Sequence, residues 1–146
     1  MIEEILRQLT SRDERSACAA AAQIVAQSEK TDQWYRFFDD FAELLNHEKS
    51  LVRNRALHIL AANARWDEED RFRQILPSFL THVTDEKPIT ARQCVQALAA
   101  VGASKPALIP DILERLKCVD LSKYKDSMRP LIEKDIQETV RKLTSF

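Results

Sequence analysis

The stretch from Asp32 to Ala64 is written again from Asp70 to Gly102, and this internal doubling narrows the possible folds more than any other feature of the sequence. A shift of 38 positions carries Asp32 onto Asp70, Phe37 onto Ile75, Phe38 onto Leu76, Phe41 onto Phe79 and Leu45 onto Val83. The same shift carries Ala56 onto Cys94, Leu57 onto Val95, Leu60 onto Leu98 and Ala61 onto Ala99. Large, then small, apolar residues at helical spacing, repeated at a fixed period, specify a helix pair stacked on its own copy. A looser copy precedes them. A shift of 35 puts Ile2 onto Phe37, Leu6 onto Phe41, Leu9 onto Leu44, Ala21 onto Ala56 and Val25 onto Leu60. The C-terminal part departs from the period and is expected to cap the stack, because a terminal repeat must shield the core from water. The expected architecture is all-α and a single domain: four antiparallel helix pairs at about 1–30, 31–66, 69–102 and 104–146.

Composition agrees. One glycine in 146 residues leaves too few turn residues for an all-β chain. A net charge of −1 lacks the basic excess of most nucleic-acid and membrane-surface proteins. No segment has the roughly 18 apolar residues of a membrane span, and the N-terminus lacks the apolar core of a signal peptide. Cys18, Cys94 and Cys118 are odd in number, far apart and without a CxxC, which fits reduced thiols at small-residue core positions. A cytoplasmic location is therefore expected, with neither a membrane nor nucleic acid as partner.

Punctuation residues set the expected helix ends. Thr31 or Asp32 caps helix three and Ser50 caps helix four. Asp67–Asp70 lies at the positive end of helix five, which Pro77 kinks or delays. Pro88 opens helix six, Gly102 ends it as the residue after its last turn, and the last helix runs from about Ser127 to Leu143.

The run Leu51-Val52-Arg53-Asn54-Arg55-Ala56-Leu57 resembles the start of the second helix in HEAT repeats, within the armadillo-like helical solenoids. Asp85 and Pro88 stand where that family favours an Asp in the turn and a Pro three residues later. His47 replaces the Asp in the preceding copy, and Ala91 replaces the Arg in the following one. The resemblance covers most of the chain and is specific over about 32–102. It implies a right-handed α-α superhelix and a module that binds other macromolecules without catalysis. It also implies a ladder contact between Arg53 and Asp85. Some relatives of such repeats are DNA-repair glycosylases or lyases, so a nucleic-acid-related or enzyme-accessory role is the alternative.

The second helices of successive pairs are expected to line up. On a helical wheel Asn54, Arg55, His58 and Arg65 fall opposite the apolar arc of helix four. Arg92, Gln93 and Gln96 hold the matching places on helix six. Together they predict a polar, mildly basic strip with no acidic member, facing a protein or peptide of acidic character. His47, His58 and His82 have no metal-ligand spacing, no cysteine has a signalled base, and one glycine cannot make a phosphate cradle. No cofactor or catalytic residue is therefore expected. Asp39-Asp40 and Asp67–Asp70 are expected to be exposed, Trp66 is the aromatic most expected at the surface, and Lys123-Tyr124-Lys125 is a short basic–aromatic cluster.

Overall fold

The computed structural model describes residues 2–146. Its helices are α1 (Ile2–Leu9), α2 (Glu14–Ser28), α3 (Phe38–Glu43), α4 (Ser50–Asn63), α5 (Arg71–Thr81), α6 (Pro88–Ser104), α7 (Ile109–Lys117) and α8 (Arg129–Thr144). Single 3₁₀ turns flank α3 on both sides, follow α4 and α5, and precede α7. There is no strand among the described residues, so the chain is all-helical.

The long helices define the organisation. Helix α4 packs against both α2 and α6, and α6 packs against both α4 and α8. Side-chain bonds between them fix their directions. Arg55 of α4 reaches Glu14, at the start of α2, and Asn63 reaches Ser28, at its end. Arg92 of α6 reaches Asp135 of α8, and the carbonyl of Val95 accepts from Thr139. Ascending residues on one helix meet ascending residues on the next, so α2, α4, α6 and α8 run parallel, with their N-termini at one edge. The shorter helices pack behind them, α1 on α2, α3 on α4, and α7 on α6 and α8.

The main core runs through the stack from Leu9 to Leu143, and a smaller cluster of Ala91, Leu121, Tyr124 and Ile132 lies beside it. The repeated apolar positions fill it. Phe38, Phe41, Phe72 and Phe79 are fully buried, and the Phe38 and Phe72 rings, from successive pairs, lie 5.7 Å apart. Burying each ring contributes about 1.5–3 kcal/mol.

Several local expectations are corrected. Regular helix does not begin at Thr31 or Asp32. The Asp32 carbonyl accepts from the Tyr35 N–H, a 3₁₀ turn follows, and α3 proper starts at Phe38. Ser50 is the first residue of α4 rather than its cap, and Lys49 in the cap position makes no side-chain cap bond. Pro77 stays inside α5. Gly102 does not end α6, which continues to Ser104. Its value is the missing Cβ: one added there would overlap Leu143 and crowd Ile109 Cγ1 at 3.1 Å. Glycine lets α6 touch the last two helices, a role of close approach rather than of turning. Cys94 is buried, but Cys18 and Cys118 are exposed.

Candidate functional site: the outer face of the parallel helices

Each repeat boundary is held by a carboxylate. Asp85 is the ladder residue, only 7% exposed. Arg53 grips it with two bonds, Nε to Oδ2 at 3.0 Å and Nη2 to Oδ1 at 2.8 Å. The same guanidinium donates back to the carbonyls of His47 and Glu48, so it ties its own turn to the next pair. Oδ2 also meets His82 Nδ1 at 2.8 Å, and Oδ1 accepts from the Lys87 N–H. Burial opposes the charge on Asp85, but Arg53, the Lys87 N–H and His82 outweigh it and hold the pKa below the usual carboxylate value. Tyr124 is buried beside it and donates to the Asp85 carbonyl, and burial pushes this phenol up to about 12. The expected basic–aromatic cluster therefore has its aromatic member in the core.

Asp67 works at the same boundary, from the turn before α5. It is buried rather than exposed. Its oxygens accept the Arg71 and Phe72 N–H groups at 2.8 Å each, which caps α5, and the Tyr35 hydroxyl at 2.6 Å. Lys105 stands 3.4 Å away and bridges to Asp70 at 3.1 Å. Burial acts to raise the pKa of Asp67, and these donors lower it on balance. Asp70 occupies the cap position of α5 but makes no side-chain cap bond, and takes the left-handed conformation, φ 58°, that turns the chain into the helix. Asp67 and Asp85 are fully occupied by donors. They are staples, and neither has an oxygen free to move a proton for a substrate.

The predicted strip is brought together, but not as a free surface. Arg55 is buried, donating to the Leu9 carbonyl at 2.8 Å and pairing with Glu14. Arg92 pairs with Asp135 at 2.7 Å, and Gln96 donates to the same carboxylate. His58 and Gln93 bond each other across α4 and α6. Arg65 is exposed, yet it donates to the Ala62 and Glu29 carbonyls at 3.1 Å each. Asn54 is half-buried, with an Oδ1 that has no partner. The expectation of a strip without acidic members is overturned by Glu14 and Asp135. Trp66 is likewise occupied, its Nε1 donating to the Ser28 carbonyl at 2.7 Å.

Asp135 had a signal in the sequence. It sits with Ile132, Thr139 and Leu143 on the buried stripe of α8. A carboxylate at core spacing requires a cation on the facing helix.

What remains open on this face is a groove between α2 and α4, with a volume of about 710 Å³. Cys18, Ala22 and Val25 form its α2 wall; Leu51, Asn54 and His58 form the other. The small α2 side chains make the space. Within the run Ala19–Ala22 only Ala21 is buried, while Ala19 and Ala22 face solvent. The groove thus has an apolar floor, with Glu14 and Glu29 at its α2 side and Asn54, Arg55 and His58 at its α4 side, a make-up common in sites for another molecule's side chains.

No group of histidine, cysteine and carboxylate side chains able to hold a metal occurs among the described residues, and no described helix is long and apolar enough to cross a membrane. Comparison with protein-family models, with curated proteins and with solved structures returned no match to this chain.

Proposed function

We propose that the chain is a non-catalytic binding module of the HEAT-like class, a right-handed stack of helix pairs that recognises another protein through the outer face of α2, α4, α6 and α8. The repeated pairs, the parallel second helices and the Arg53–Asp85 contact support the HEAT-like reading. The groove between α2 and α4 carries the functional one. It is a largely apolar recess on a face where Arg55 and Arg92 are already paired with Glu14 and Asp135. Its occupant is an apolar side chain of a partner protein, with the Asn54 and His58 wall orienting it. Arginine substitutions on this face are unsuitable tests, since Arg55 and Arg92 hold helices together.

Ala22→Trp fills the recess from an exposed position. Proteins retained by the wild type should be lost by Ala22→Trp and kept by Glu114→Ala, on exposed α7 surface. They should also slow alkylation of Cys18 in the groove. Equal retention by Ala22→Trp, with Cys18 still fully reactive in the complex, would refute the assignment.

A further inference from the structure

The first two copies of the repeat differ on their second helices, and the difference accounts for the groove. A shift of 35 puts Ala22 onto Leu57 and Val25 onto Leu60. Both leucines are fully buried, whereas Ala22 is exposed and Val25 half-buried, on the groove wall. Where the second copy carries two leucines, the first carries an alanine and a valine, and the space beside them stays open. At the next boundary the same face is closed by the bond between His58 and Gln93. The missing bulk is therefore about two leucine-sized side chains, one helical turn apart.

The walls set the shape of what can enter. Cys18, Ala22, Val25 and Glu29 follow α2 at i, i+4, i+7 and i+11, a straight row of about 16 Å or three turns. Leu51, Asn54 and His58 follow the parallel α4 at i, i+3 and i+7. The α2 side offers methyl groups rather than hydrogen-bond partners. An extended chain would bury backbone N–H and C=O groups against it, whereas a helix bonds its own.

Charge fixes one end. Glu14 is paired with Arg55, and Arg65 beyond the far end donates to the Ala62 and Glu29 carbonyls. The Glu29 carboxylate is exposed and has no ion pair among the described residues. The uncommitted charge among the lining residues is thus negative and stands one turn beyond Val25. A fatty acid would bring a second carboxylate to it. We infer that the groove receives an amphipathic α-helix of another protein, parallel to α2, with two leucine-sized side chains over Ala22 and Val25 and a lysine or arginine one turn further on, facing Glu29. In that direction the cation also lies toward the C-terminal end of the docked helix, where its own dipole favours positive charge. This occupant rests on the reading of the groove as the recognition site.

The probe is a labelled alanine–glutamine helical peptide with leucines at i, i+3 and i+4 and its one lysine at i+7, followed by fluorescence polarisation. The wild type should bind it, and the bound peptide should slow alkylation of Cys18 but not of Cys118. Alanine in place of the leucines should weaken binding at least about tenfold, and glutamate in place of the lysine at least about threefold. Glu29→Lys should reverse that preference and take the glutamate peptide better, which a purely structural Glu29 would not do. Ala22→Leu restores the residue of the next copy; it should hold or raise the melting midpoint while weakening the peptide at least about tenfold. No binding by the wild type, equal binding by Ala22→Leu, or an unreversed preference in Glu29→Lys overturns the helical occupant. So does saturable oleate binding that Ala22→Leu abolishes, or a wild-type dimer that Ala22→Leu dissociates. If Ala22→Trp and Cys18 fail the tests of the groove itself, the helix falls with the groove; if they pass and the peptide does not bind, the helix alone falls.

Discussion

Asp85→Asn removes a single charge from the most densely bonded point of the fold. The carboxylate takes two bonds from Arg53, one contact from His82 and one N–H from Lys87. The amide keeps one acceptor oxygen and turns an NH₂ toward at least one of these donors. Arg53, only 6% exposed, then remains charged without its counter-ion. Breaking such a buried pair from one side costs about 3–5 kcal/mol, a large part of the roughly 5–15 kcal/mol that holds a domain together. At about 2–4 °C per kcal/mol for a chain near this size, the midpoint should fall by about 10 °C. Thermal unfolding followed by far-UV circular dichroism measures that shift, and guanidinium unfolding measures the loss of free energy. Arg53→Met with Asp85→Leu should be much milder than either single change, because it removes the orphaned charge with its partner. The effect also has a pH signature. The folded-state pKa of Asp85 lies below the unfolded 3.8, so its contribution is present above that pH and is lost as pH falls through the folded value. Wild type and Asp85→Asn should therefore converge in stability as the solution is taken well below pH 3.8. A loss under about 1 kcal/mol for Asp85→Asn, or additive single substitutions, would refute the reasoning.

Gly102→Ala should destabilise the protein by about 1–2 kcal/mol despite the better helix propensity of alanine, since the overlap with Leu143 must be relieved by moving α8; an unchanged or raised melting midpoint would show that α6 and α8 do not meet there. Thiol titration of the native protein should find Cys18 and Cys118 reactive and Cys94 silent until unfolding, because Cys94 is fully buried and its thiol pKa is pushed up by that burial. Three thiols reacting at one rate would contradict the packing of α6.

The repeat made the core legible. Phe38 with Leu76, Phe41 with Phe79 and Leu60 with Leu98 are buried as matched positions because burial depends on angle around a helix, which spacing encodes. The outer face was less legible for a related reason. A wheel places Arg55 and Arg92 on one side of a helix, but says nothing of what the next helix puts within reach of a long side chain. Glu14 and Asp135 come from helices 41 and 43 residues away, and no local pattern joins them. Gly102 was misread because glycine serves both turns and close approach, and only the packing partner tells the two apart.

The bonds at the boundaries join each pair only to its neighbour: Arg55 to Glu14, Arg53 to Asp85, Arg92 to Asp135. Among the described residues, no side-chain hydrogen bond or ion pair skips a pair. Mechanically the pairs are links in series. Tension on the ends passes through every boundary in turn, and the chain yields first at whichever clasp is weakest. The exposed Glu14 makes the first boundary more open to water and salt than the buried Asp85 makes the second. Pulled or heated, the stack should shed its N-terminal pair before its centre gives way.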